Sequence, residues 1–133
     1  GCGVQYFSQQ GVARLAPKAG FQFGKMAFPE QLVEVQTAMA RGHEGARRIY
    51  ETIGVCFGYT IAHYAEFYEI ENLLILGRVT SGAGGELILE KATEVLQDEF
   101  PGLSEQITMT TPDEQMKRHG QAVAAASLPT LAP

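Results

Sequence analysis

The sequence predicts an α/β fold in which long helices pack on a small parallel sheet. Three observations carry that expectation. Residues 43–68 repeat apolar side chains at three- and four-residue steps, the period of a helix. Leu73-Leu74-Ile75-Leu76 is apolar without alternation, which fits a strand covered on both faces, as in a parallel sheet. A second short run rich in β-branched residues, Ile107 to Thr110, follows a helical segment of crossover length. Strand, helix and strand in that order predict two parallel neighbours.

From the N-terminus, Tyr6 to Leu15 reads as a short helix that starts near Ser8, whose hydroxyl suits an N-cap. Pro17 and Gly20 end it. Ala19 to Phe28 reads as a loop with several aromatics. Pro29 and Glu30 suit the first turn of the next helix, Leu32, Val35 and Met39 give its apolar spacing, and Gly42 closes it. In the long helix, Ala46, Ile49, Ile53, Phe57, Ile61 and Tyr64 form one stripe. Gly54, Gly58 and Ala62 form a second at four-residue spacing. Two glycines inside a helix cost about 1 kcal/mol each relative to alanine, so a neighbouring backbone is expected to pack very close along this face. Glu86 to Phe100 is helical through Leu87, Ala92, Val95 and Leu96, and Pro101-Gly102 is expected to end it. Pro112 and Asp113 open a last helix that runs to about Leu128. Two strands do not make a stable open sheet. Either a further strand lies within Gln22 to Phe28, or other polypeptide completes the sheet.

Composition narrows the function. The 133 residues are 45% hydrophobic and 19% charged, a globular mixture with room for one core and none for a second large lobe. The chain is therefore read as a single unit, 1–133, without an internal boundary. The net charge of -5, with no basic cluster beyond Arg47-Arg48 and Lys117-Arg118, argues against nucleic acid. The most apolar stretch, Ile53 to Ala65, is short of the ~20 residues that span a bilayer. No signal peptide is legible at the N-terminus. The chain has two cysteines, Cys2 and Cys56, which do not make a disulfide framework and fit a reducing cytoplasm. Cys56, inside an apolar pattern, is expected to be a buried thiol.

The segment from Gly77 to Gly85 carries the most chemistry. A strand runs into glycines and small hydroxyls and then into a helix start. Glycine permits positive φ and close approach of a ligand to backbone. A helix N-terminus presents N–H groups and a positive dipole end to anions. Thr80 and Ser81 add hydroxyls, and the carboxyl end of a parallel strand is where α/β sheets place ligands. The pattern lacks the Gly-Lys-Ser/Thr of a P-loop and does not match Gly-x-Gly-x-x-Gly from Gly77. Local chemistry fits ligand contact and a bare strand-to-helix turn alike, and the α/β context favours the ligand.

These residues resemble the C-terminal part of the ROK family, sugar kinases and sugar-responsive repressors built on the actin-like (ribonuclease H-like) ATPase fold. Ile53-Gly54, Phe57-Gly58 and Ile61-Ala62 reproduce the rhythm of that family's long helix, and Leu73 to Glu86 is similar to its strand, glycine loop and helix. Gly120 to Ala126 is similar to its closing helix. Gly1 to Ser8 resembles the end of its cysteine-rich signature. The resemblance implies an incomplete fold: the C-terminal, nucleotide-side subdomain of a two-lobed protein. It implies ATP with magnesium in the complete protein, a sugar substrate, and the upstream lobe of the same protein as partner. Gly77, Thr80, Ser81, Gly82 and Gly84 would then lie near adenosine and phosphates, through backbone and hydroxyl contacts. Two departures stand out. Val4 occupies the place of a glutamate that binds sugar hydroxyls, and Arg78 replaces a glycine of the adenosine loop.

No catalytic residue is assigned. The only aspartates are Asp98 and Asp113, and neither follows the Asp-Gly pattern of the family's catalytic base. Half a cleft does not supply the positioning that phosphoryl transfer needs, so the chain alone is expected not to be a kinase. One family cysteine, Cys2, cannot make a four-coordinate zinc site, so no metal is assigned. His43, His63 and His119 show no metal-ligand spacing. His63 is expected to be a core histidine, or to line a cleft with Tyr64, Glu66 and Tyr68. Glu86, Glu90 and Glu94 read as one solvated helix face. The second reading of the chain is a non-catalytic dimerisation or regulatory module. A homodimer through helix 43–68, on the Gly54/Gly58/Ala62 face, or a contact at an uncovered strand edge would serve it.

Overall fold

The computed structural model describes residues 2–112. The helix expected from Pro112-Asp113 to Leu128 lies outside them, as do Asp113, Lys117-Arg118, His119 and the 120–126 resemblance. Helices make up 69% of the described residues, with a two-stranded parallel sheet, so the broad α/β expectation holds.

The elements follow the local chemistry closely. After a single turn, α1 (Val4–Phe7), the helix α2 (Gln9–Leu15) starts at Ser8, whose hydroxyl accepts from the Gln10 N–H at 3.1 Å. A 3-10 turn through Pro17 stops at Gly20, φ 90°. In α3 (Phe28–Ala40), Pro29 sits in the first turn, and the Glu30 carboxylate accepts from the Ala27 N–H at 3.3 Å. Helix α4 (Glu44–Ala65) begins at His43, whose Nδ1 accepts from the Ala46 N–H at 3.2 Å. The strand β1 (Asn72–Leu74), helix α5 (Gly82–Glu99), helix α6 (Pro101–Gln106) and strand β2 (Thr108–Thr110) complete the described chain. Helix α5 stops at Glu99, just before Pro101 as expected, and Pro101 also opens the next helix. It stands at a first-turn position, where its fixed φ fits and its missing N–H leaves no bond unmade.

Helices α4 and α5 share the largest interface and form the spine. The expected close approach is where the glycine stripe placed it. A Cβ on Gly54 would lie 2.7 Å from the Ile88 carbonyl oxygen, and one on Gly58 would lie 2.7 Å from Val95 Cβ. This face is buried against α5 within the chain. The opposite face of α4 is exposed. Cys56 lies two residues from each glycine, about 200° round the helix, and is exposed rather than buried. His63 is on the same outer side, 64% exposed, and is not a core histidine.

One core lies between α2, α3, α4 and the start of α5, around Val12, Leu32, Val35, Ile49, Tyr50 and Ile88. A second lies where α4, α5 and the sheet meet, around Ile61, Leu96 and Ile107. The register pairs Leu73 with Met109, and both pack on this second core. Leu74 pairs with Thr110 on the other face and is 61% exposed. The strand is thus covered on one face, not two, because the described helices that pack on the sheet lie on one side. Residues 22–27 form no strand. Phe21 stacks on Phe23, ring centres 5.4 Å apart, and lies 5.0 Å from His43, so these aromatics plug the entrance to α4.

Candidate functional site

The glycine segment joins β1 to α5 at the carboxyl ends of both strands. The Ile75 N–H donates to the Thr110 carbonyl at 2.9 Å, which extends the parallel ladder one residue beyond β1. Gly77 then adopts φ 120° and ψ 155°, a conformation essentially restricted to glycine. Arg78–Thr80 make a 3-10 turn, Ser81 stands at the N-cap of α5, and Gly82 has φ 65°.

Internal bonds hold this turn. The Thr80 N–H and hydroxyl both donate to the Gly77 carbonyl, at 3.1 and 2.7 Å. Gln36 Nε2 of α3 donates to the Arg78 carbonyl at 2.9 Å. Gly85 packs on the Thr80 backbone so closely that no side chain fits there. The loop is therefore braced from α3, from α5 and from within.

The five residues expected at a ligand fall into two groups. Gly77 and Gly82 face open space: nothing lies within 4 Å of a Cβ placed on either. Ser81 is half-buried beside them and makes no side-chain cap. Thr80 is buried, with its hydroxyl committed to the turn. Gly84 is buried as well, and it faces Tyr50: a Cβ there would lie 2.5 Å from Tyr50 Cζ. Arg78 is exposed at the start of the turn.

The first N–H groups of a helix have no intrahelical acceptor. In α5 they belong to a Gly-Ala-Gly-Gly sequence, so little side chain shields them. Tyr50 lies below, fully buried, and its hydroxyl is the buried side-chain polar atom left without a hydrogen-bond partner among the described residues. An orphaned buried hydroxyl costs about 1–3 kcal/mol. Burial also pushes its pKa well above the usual tyrosine value, so it stays a protonated donor at neutral pH. Sequence reasoning did not single out Tyr50. Its only signal was a tyrosine at a core position of α4, opposite a segment too small to fill a core.

This geometry suits an anionic group: uncovered N–H groups, a positive helix end and two glycines with free space above them. The loop itself contains no carboxylate to ligate magnesium. Among the described residues, no group of three or more His, Cys, Asp or Glu side chains gathers as a metal site.

Two further concavities lie along β1, one beside the loop and one at the strand's other end. An apolar cavity of about 220 Å³ runs along β1, walled by Phe7, Phe57, Leu74, Leu76, Val79 and Ile88. A shallow depression at the end of α4 is lined by Tyr64, Tyr68 and Glu69 to Leu73. Tyr64 and Tyr68 thus share a cleft as anticipated, but His63 and Glu66 do not line it. Those two face each other at 3.9 Å on the outer side of α4. Glu86 and Glu90 are exposed, and Glu94 pairs with Lys91 at 2.7 Å. Among the described residues, no helix is long and apolar enough to cross a membrane. Comparison with family models, curated proteins and solved structures found no match to this chain.

Proposed function

We propose that this chain is the C-terminal, nucleotide-side part of an ATP-dependent sugar kinase of the ROK type, or of a relative that has kept the actin-like fold. Its contribution is the adenosine-side loop, 77–84, with catalysis dependent on an upstream lobe. The observation that carries the reading is the open space over Gly77 and Gly82, at the uncapped N-terminus of α5 and the carboxyl ends of a parallel strand pair. The short sheet supports it too. Two three-residue strands, one face bare, are what remains of a sheet whose other strands belong to other polypeptide. Magnesium ligands, the sugar site and the base would come from that upstream lobe, in the cytoplasm.

Within this reading Gly77, Ser81 and Gly82 meet the ligand, while Thr80 and Gly84 shape the loop that does so. The test is ATP titration of the full gene product that carries this chain, with Gly82→Trp as the probe. A tryptophan there fills the open space and is expected to weaken ATP at least tenfold. Unchanged affinity overturns the site.

A second reading, a dimerisation or regulatory module, has its own observation. Leu74, Phe67 and Tyr68 are 61–68% exposed, large apolar side chains of the kind a partner covers. Light scattering separates the two: a strict monomer that binds ATP favours the kinase part, and a dimer indifferent to ATP favours the module.

A further inference from the structure

Two deficits meet at the start of α5. The first-turn N–H groups lack acceptors, and no side chain caps them. Directly beneath, the Tyr50 hydroxyl also lacks a partner among the described residues. The open side of Gly84 faces the hydroxyl end of the Tyr50 ring, with Cζ, Cε1 and Cε2 at 2.5, 2.6 and 2.7 Å from an added Cβ. Phenylalanine would fill the same space without burying a polar atom. A buried hydroxyl left unpaired among the described residues calls for a partner outside them. All the groups concerned are donors, so a single acceptor-rich, negatively charged group would satisfy them together.

We propose that the Tyr50 hydroxyl is a binding donor for the phosphoryl group of the ligand, acting with the first-turn N–H groups of α5. The inference rests on the nucleotide reading above and adds to it a residue on α4, outside the loop. The hydroxyl is closed off from solvent, so admitting the oxygen requires the segment between Gly77 and Gly82 to open, releasing the bonds that Thr80 and Gln36 make to its carbonyls. Both ends of that segment are glycines with positive φ and free space around them. Gly84 is required because any side chain there would displace the ring.

The experiment compares ATP with adenosine, which lacks phosphate, on the full gene product. Tyr50→Phe keeps the ring against Gly84 and removes only the oxygen. It is expected to weaken ATP about tenfold, the scale of one hydrogen bond to a charged group, and to leave adenosine affinity unchanged. Equal weakening of both ligands would mark a structural role and overturn the proposal. So would unchanged ATP affinity in Tyr50→Phe alongside loss in Gly82→Trp, an outcome that leaves the nucleotide reading standing. Absence of ATP binding by the unaltered protein overturns both. Should the variant fail to fold, tyrosine labelled with carbon-13 at Cζ decides on the unaltered protein. The Tyr50 signal moves on addition of ATP and not of adenosine, and a stationary signal overturns the proposal.

Discussion

Gly54→Ala tests the closest approach in the fold. Alanine is the better helix former by about 1 kcal/mol, so propensity alone predicts a more stable protein. The packing predicts the reverse. The new Cβ would lie 2.7 Å from both the Ile88 carbonyl oxygen and Lys91 Cβ, and 3.0 Å from Ile88 Cα. Two of those atoms are backbone, so rotating a side chain does not relieve the clash. Helix α5 must retreat locally by about 0.7 Å, and a gap of that size forfeits a quarter to a half of each neighbouring dispersion contact. Overpacking of this kind costs about 1–3 kcal/mol. Net of the propensity gain, the variant should lose up to about 2 kcal/mol. At about 4 °C per kcal/mol for a domain of this size, Tm falls by up to about 8 °C. Gly102→Ala in α6 is the control, because nothing lies within 4 Å of its Cβ. It should leave Tm unchanged or raise it. Calorimetry of the two variants side by side makes the measurement. If Gly54→Ala gains as much as Gly102→Ala, then α5 does not abut α4 here, and the account of the glycine stripe is wrong.

Two other predictions concern the loop and the residue beneath it. Gly77→Ala meets no steric neighbour but forces a Cβ into φ 120°, so it should cost about 1–3 kcal/mol in urea unfolding with an unchanged m value. Tyr50 has its pKa raised by burial above the ordinary 10.0. Below pH 10 the folded and unfolded states both hold the proton, and its contribution to stability is fully present. Above pH 10 the unfolded chain releases the proton while the folded one keeps it, so stability falls, by up to about 1.4 kcal/mol per pH unit. Tyr50→Phe should flatten that alkaline decline, and an identical decline in both proteins would show that Tyr50 is not its source.

Much of this fold was legible because it rests on short-range chemistry. Ser8, Pro29, Glu30 and Gly42 mark helix ends through caps and φ preferences that act within a few residues. The glycine stripe was legible because two glycines in one helix need a tertiary reason. What failed depended on which side of an element the rest of the chain occupies. Leu73 to Leu76 looks the same in sequence whether one face or two are covered. Only the placement of α4 and α5 on a single side leaves Leu74 exposed. Cys56 and His63 sit among apolar residues yet fall on the outer face of α4, which a run of composition conceals but a helical wheel distinguishes. Pro101 ends α5 as expected, but proline also starts helices, and the local sequence does not show that α6 follows at once. In the site, the segment was legible but the division of labour was not. Nothing in a string of glycines says that Gly77 and Gly82 face open space while Gly84 faces a tyrosine 34 positions earlier.

That division bears on how far the site depends on the rest of the sheet. The sheet is the weakest part of the described fold, with two three-residue strands and one bare face. The loop does not rely on it. Gln36 holds the turn from α3, Gly85 closes on Thr80, and Tyr50 supports Gly84 from α4. All three braces come from helices packed on the first core, not from β1 or β2. A helix N-terminus oriented by such braces keeps its direction whether or not further strands join the sheet. Ligand affinity at the loop should therefore follow the α4–α5 packing: a substitution that pushes those helices apart weakens ligand binding as well as the fold. A polar substitution at Leu74, on the bare face, leaves the loop as it is.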